Sequence, residues 1–234
     1  MDRSRGLSYA LLTSVAVVAG LLVLRLTATS ASSVTYEFLA NRLTYVYVFV
    51  ATSIVFLILG YILGRKVDRF RRLSTIDPLT GLANRRALET RLRDEWRRSE
   101  RYGSPLSILL IDIDGLKRIN DKHGHAAGDH ILRGASDAIR ASLRGPDCGA
   151  RWGGDEFAVL APNTTTDAAQ TFARRLLEQM TRQVGTDRPA PASIGVATFD
   201  PAQKASLTPE SLMREADAAL YRAKTSGRHQ IRVA

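Results

Sequence analysis

Cysteine is nearly missing from this chain: Cys148 is the only one in 234 residues. No disulfide can close within the chain, which suits a reducing compartment. Histidine is scarce too, and His123 and His125 form an isolated pair with no cysteine beside them, which argues against zinc. Aromatic residues make up 7%, and no basic stripe is interleaved with them as a polynucleotide-binding surface would require. Acid is in deficit, with a formal net charge of +10, but residues 1–74 hold nine Lys or Arg against three Asp or Glu. Most of the excess therefore belongs to the N-terminal third, and no polynucleotide partner is expected. Internal repeats and long low-complexity stretches are absent as well.

What the chain does have is two long uncharged runs. Leu7 to Leu24 is eighteen residues and Leu43 to Leu63 twenty-one, each about long enough to cross a bilayer as a helix. Tyr45, Tyr47 and Tyr61 suit the interfaces of the second run. Arg3 and Arg5 precede the first run, and Arg65, Lys66, Arg69, Arg71 and Arg72 follow the second, whereas the loop between offers Arg25 and Arg42. That asymmetry places both termini in the cytoplasm. The expected location is the cytoplasmic membrane, multi-pass, with the globular part inside. A rival reading makes the first run a signal peptide cleaved near Ala28 to Ser30. Arg65 to Ser74 reads as a charged helical connector, so residues 1–74 form a membrane anchor and 75–234 a globular domain.

The globular part alternates elements. Asn84 is a good N-cap for a helix carrying Leu88, Leu92 and Trp96, ended by Gly103-Ser104-Pro105. Leu106 to Ile113 reads as a buried strand. A helix is expected from near Gly128, then a hairpin around Gly153-Gly154, and a helix with Phe172, Leu176 and Met180 inward. A strand from Ser193 to Phe199, a helix from Pro209 and a last strand near Gln230 to Val233 complete the order. The class is α+β, one mixed sheet sandwiched by helices.

The chemistry concentrates in Arg151-Trp152-Gly153-Gly154-Asp155-Glu156-Phe157. Apolar stretches on both sides predict a hairpin in which the glycine pair supplies positive φ and brings backbone amides close to a polyphosphate. The strand ending Ile111-Asp112-Ile113-Asp114 delivers two more carboxylates to the sheet rim. If the hairpin pairs with it, Asp112 approaches Asp155. Gathered carboxylates repel unless a cation neutralises them, and hard oxygen donors suit Mg²⁺, so metal-assisted phosphoryl or nucleotidyl transfer is the expected reaction class. Lys224 and Arg228, four residues apart at a helix end, could reach phosphate, though capping alone would also explain them. Asn120 and Asp129 could satisfy the Watson-Crick edge of guanine. A turn residue and a helix N-cap are the plainer alternatives.

Four separated motifs, Asp77 to Arg86, Asp112 to Asp129, Gly153 to Phe157 and Lys224 to Arg228, occur in the order seen in the GGDEF diguanylate cyclases, which residues from about Thr75 to Ala234 resemble. The resemblance implies a nucleotidyl-cyclase-like, palm-like fold. It implies that Asp112, Asp155 and the carbonyl of Ile113 bind Mg²⁺, or Mn²⁺ in its place, and that Glu156 joins Asp112 and Asp155 as the catalytic acids. Asn120 and Asp129 would hold guanine, with Lys117, Lys224 and Arg228 on the triphosphate and Gly153 and Gly154 beside the substrate. Asp114 is not a ligand in the family pattern and becomes a neighbouring structural acid. Two domains of a homodimer would each hold one GTP and together make cyclic di-GMP and two pyrophosphates. Arg144-Gly145-Pro146-Asp147 matches the family's RxxD product-inhibition site, an exposed ion pair being the plainer reading. Departures are Gly115-Leu116 where a polar or aromatic residue and Phe are usual, Trp152 for a common Tyr, and His229 where Asn is frequent. The alternative is a non-catalytic receptor for GTP or cyclic di-GMP that signals through the membrane segment.

Overall fold

The computed structural model describes residues 15–17, 19–20, 23, 41–183, 191–202 and 207–234, the side chains of 63–73 and 183 excepted. It divides into two compact units, Met1–Ser74 and Thr75–Ala234.

In the first unit, helix α1 (Arg42–Leu73) is continuous from the second apolar run through the charged connector. Its segment Arg42–Ile62, with mean hydropathy 2.2, is long and apolar enough to cross a membrane. Only 6% of that stretch is buried, unlike the core helix of a soluble protein. Twelve of the eighteen residues of the run Leu7 to Leu24 lie outside the described residues, so a pair of spans is not shown.

The second unit is built on one six-stranded sheet. Its elements are β1 (Ala83–Asn84), α2 (Arg85–Tyr102), β2 (Leu106–Ile113), α3 (Leu116–His123), α4 (His125–Ser142), β3 (Cys148–Arg151), β4 (Glu156–Pro162), α5 (Thr166–Gln183), β5 (Ala192–Phe199), α6 (Pro209–Thr225) and β6 (Ile231–Val233). Strand order is β1-β3-β4-β2-β5-β6. The four central strands pair antiparallel and the two edge strands join in parallel. The sheet is mixed and helix-covered, as the patterning predicts.

Strand β2 organises the core because both its faces are covered. Leu109, Ile111 and Ile113 pack with Ile131, Leu132 and Ile139 of α4 and Phe172, Leu176 and Met180 of α5. Leu106, Ile108 and Leu110 pack on the other face with Leu88, Leu92 and Trp96 of α2 and Leu212, Ala216 and Leu220 of α6. Each buried Leu, Ile, Phe or Met side chain among these contributes roughly 1.5–3 kcal/mol by leaving water. Side chains alternate along a strand, so Asp112 shares a side with Leu106, Ile108 and Leu110, the side that α6 covers. Gly195 lets α6 lie directly on β5: a Cβ there would stand 2.2 Å from the Ala216 carbonyl oxygen.

Two elements escape the periodicity. Helix α3 and strand β1 are unexpected, and α4 begins at His125 rather than near Gly128. Gly124, at φ +80°, separates α3 from α4. Asn120 is therefore helical and Asp129 lies inside a helix, which overturns the turn-residue and N-cap readings of both.

Candidate active site

The acid rim forms because β2 and β4 run antiparallel with Asp112 opposite Glu156. The Ile113 N–H donates to the Asp155 carbonyl at 3.1 Å, drawing the hairpin onto the end of β2. Burial pushes the Asp112 carboxyl above its usual range; Lys224 opposes this, and the charges of Asp155 and Asp114 add to it. Lys224 Nζ stands 2.6 Å from Asp112 Oδ2. Asp112 as metal ligand and Lys224 as phosphate contact are separate roles in the sequence reading; here the two side chains are each other's partners.

The turn itself corrects a second expectation. Neither Gly153 nor Gly154 has positive φ. Gly153 serves by lacking bulk, since a Cβ would lie 2.8 Å from Glu156 Oε2, whereas Gly154 faces open space. The N–H groups of Trp152 and Gly153 both donate to the Glu156 carbonyl, at 2.8 and 3.2 Å, so the Gly153 amide is engaged within the turn.

Sequence reasoning missed the residues that brace this turn. Arg151 donates through Nε to the carbonyls of Gly153 and Gly154, each at 3.2 Å, and through Nη2 to Gly154 at 2.7 Å. Its Nη1 lies 3.4 Å from Asp77 Oδ1. That oxygen also accepts from the Thr80 N–H and hydroxyl at 3.0 and 2.8 Å. Burial would raise the Asp77 carboxyl, but the Thr80 bonds and Arg151 outweigh it and hold it below its usual value. Asp77 and Thr80 were legible only as part of a motif; a basic residue beside a glycine turn is the local signal for Arg151. Trp152 is half-buried against the α2 side of the core and carries the Arg85 guanidinium 4.4 Å above its ring.

The would-be guanine residues meet at the α3–α4 junction. Asn120 Oδ1 is buried with no hydrogen-bond partner, and a Cβ on Gly128 would stand 2.0 Å from it. Asp129 follows Gly128, partly exposed, and Lys117 is exposed on α3. Arg228 is mostly exposed, with Nε 3.8 Å from Asp114 Oδ1.

Arg144 and Asp147 form a separate pair. The guanidinium donates to both carboxylate oxygens at 3.1 and 3.0 Å and to Thr164 Oγ1 at 2.7 Å. The Asp147 bond holds the guanidinium still more firmly protonated than usual. The Asp147 side chain is fully covered and engaged by Arg144. Arg144 lines a cavity of about 370 Å³ with Thr164, Asp167, Thr171, Phe172 and Arg175. Arg175, anchored to the Ser142 carbonyl at 3.1 Å, is a second guanidinium there that the sequence reading passed over. Burial pushes the Cys148 thiol up, against the pull of Arg91, consistent with an unreactive packing residue.

Among the described residues no three acid, histidine or cysteine side chains gather closely enough to hold a metal by themselves. The donor chemistry at the rim nevertheless fits a hard cation. Asp112 is disfavoured as an anion by burial and by two neighbouring acids, and it already draws a cationic amine.

Comparison with known proteins gives a concordant picture. The family described as diguanylate cyclase, GGDEF domain, matches residues 74–230. The diguanylate cyclase DgcP of Pseudomonas aeruginosa is 40% identical over 70% of this chain and 24% of its own length. The response regulator PleD of Caulobacter vibrioides is 36% identical over 72% of this chain and 38% of its own. The chain thus spans about a quarter to two fifths of these curated relatives. Among solved structures, the GGDEF domain of DgcB from Caulobacter crescentus, in complex with c-di-GMP, superposes with TM-score 0.62 at 30% identity, covering 68% of this chain and 92% of that one. The diguanylate cyclase SiaD of Pseudomonas aeruginosa, in complex with its activator SiaC, gives 0.64 at 32%, covering 91% and 85%.

Proposed function

This chain belongs to the GGDEF diguanylate cyclase family, and on that premise we propose that it condenses two GTP into cyclic di-GMP and two pyrophosphates. The observation that carries the reading is the register placing Asp112 opposite Glu156, with Asp155 tied to Ile113, at a rim that also holds Lys224. Asp112, Asp155 and the Ile113 carbonyl would hold Mg²⁺ or Mn²⁺, which supplies charge neutralisation and polarisation of the phosphate. Glu156 completes the acid group. Asn120 and Asp129 hold the guanine edge; the buried, unpartnered Oδ1 of Asn120 is an acceptor suited to a base N–H. Lys117, Lys224 and Arg228 bind the triphosphate, and Gly154, with open space around it, lets the substrate close on the turn.

One domain presents one nucleotide, so the 3′-hydroxyl that attacks each α-phosphate comes from a second copy, and the active form is a homodimer. Arg144 and Asp147, with Arg175 across the cavity, form a product-inhibition site once cyclic di-GMP replaces their mutual pairing. The chain is membrane-anchored, multi-pass, with residues 75–234 in the cytoplasm.

The test is incubation of the full chain, in lipid nanodiscs, with GTP and Mg²⁺, the products identified by mass. Cyclic di-GMP and pyrophosphate are expected. A different nucleotide product, or none although GTP binds, would overturn the assignment.

A further inference from the structure

Asp114 lies just past the end of β2, buried, and the reaction as described does not use it. Donors from two parts of the fold converge on it. The Ser193 hydroxyl, at the start of β5, lies 2.9 Å from Oδ2 and 3.1 Å from Oδ1. The backbone N–H of His229 donates to Oδ2 at 3.1 Å, and Arg228 Nε lies 3.8 Å from Oδ1.

The segment it holds has an unusual backbone. Gly227, Arg228 and His229 have φ of +114°, +61° and +46° in succession. Two adjacent side-chain-bearing residues in the left-handed region need surrounding structure to over-determine them. Asn and His are among the few side chains tolerated there, which accounts physically for His229 standing where the family frequently has Asn. The turn is closed behind by Arg228 N–H and Gln230 Nε2, both donating to the Ala223 carbonyl, at 3.1 and 2.9 Å. From the front Asp114 meets the turn at His229 and Arg228.

A carboxylate suits the position because it accepts only, so both oxygens can take donors without placing an N–H against the His229 amide. We infer that Asp114 is a positioning residue for nucleotide binding: by gripping the left-handed turn it fixes the backbone from which Arg228 projects to the triphosphate. Asp112 and Asp114, two residues apart on one side of the sheet, thus both engage the Lys224–His229 segment. Asp112 does so through a partly exposed amine that a ligand can displace, and Asp114 through a backbone amide that stays. The inference rests on Arg228 contacting the triphosphate, as proposed above.

The test uses the full chain in nanodiscs and three probes: 3′-deoxy-GTP, which lacks the attacking hydroxyl; guanosine, which lacks phosphate; and cyclic di-GMP at the Arg144 site. Asp114→Ala should weaken 3′-deoxy-GTP about tenfold, the scale of a charge-assisted contact, and leave guanosine and cyclic di-GMP unchanged. Asp114→Asn, retaining one acceptor oxygen, should recover part of that loss. Ser193→Ala, which frees one side of the carboxylate, should shift the same probe about threefold and carries the test if Asp114→Ala does not fold. In turnover the loss should fall on KM more than on kcat. Wild-type affinity for 3′-deoxy-GTP in the Asp114 or Ser193 variants, with Arg228→Ala weakened, would overturn the inference. Parallel loss of guanosine binding would do the same, by showing a merely structural role. Wild-type affinity in Arg228→Ala would remove the premise instead.

Discussion

Lys224, in the last turn of α6, and Asp112, near the end of β2, form an ion pair of 2.6 Å at the rim of the sheet. The pair exists because Gly195 lets α6 settle on β5 and because strand alternation turns Asp112 to that side. An ammonium here neutralises a carboxylate that burial disfavours. In the proposed reaction the pair must open, releasing Asp112 to a divalent cation and Lys224 to phosphate.

The first prediction follows from that carboxylate. Asp112→Asn should lower turnover by about 10² or more, the usual effect of removing one preorganised charged group, without lowering the melting temperature at neutral pH. The folded-state pKa of Asp112 is raised, so its contribution to stability is greatest below the ordinary carboxylate value and is lost as pH rises through the raised one. Metal-free wild type should therefore lose stability across that window relative to the variant. Thermal melts of both proteins against pH read the difference.

Asp155→Ala should abolish cyclic di-GMP synthesis while the hairpin stays formed. The bond joining the hairpin to β2 uses the Asp155 carbonyl, which alanine keeps. Product analysis beside a circular dichroism melt separates the two effects, and synthesis at the wild-type rate would remove Asp155 from the site.

Arg144→Ala should leave the uninhibited rate unchanged and weaken inhibition by cyclic di-GMP, by about 1.5–3 kcal/mol for each charge-assisted bond lost. Arg175→Ala should act in the same direction, because it lines the same cavity. Initial rates at increasing product concentration provide the measurement.

Gly128→Ala should force the Asn120 amide out of its place, since the added Cβ would stand 2.0 Å from Oδ1. The expected result is a KM for GTP raised roughly tenfold, from loss of one or two base hydrogen bonds, with stability little changed because Asn120 is only half-buried. Steady-state kinetics and a melt on the same preparation test both parts.

Gly195→Ala should instead destabilise the domain by about 1–3 kcal/mol or more, the range for overpacking. Its Cβ would meet backbone, the Ala216 carbonyl at 2.2 Å and the Leu220 amide at 2.3 Å, and neither can swing aside. Denaturant titration of the variant checks this.

The elements legible in the sequence were those whose signal is local. Leu106 to Ile113 is apolar except for Ser107 and the acid Asp112 near its end, and forms a strand with those bounds. Asn84 caps α2 through its side chain at 3.0 Å, and Gly103 closes it at φ +64°. Helix α3 was not legible, because Leu116 to His123 is about two turns long and offers only Leu116 and Ile119 as apolar positions, too few to establish a period. Strand β1, two residues long, is held by its parallel pairing with β3 and by a bridge from Ala83 to Ile76, neither of which a two-residue stretch announces. The positive φ expected of Gly153 and Gly154 failed because a glycine pair can equally serve by leaving room, and which applies depends on where Glu156 turns.

By itself the chain determined its alternating elements, its helix caps, its apolar runs and the identity of its acids and cations, since these depend on neighbours within a few residues. The three-dimensional packing decided the rest: that Asp112 faces Lys224, that Asp114 grips the turn at His229, and that Arg151 reaches back to Asp77. Those contacts join residues 74 to 115 positions apart. Such a pairing depends on strand register, on the side of the sheet a residue faces and on how closely a helix can approach, and none of these is written in a local stretch of sequence.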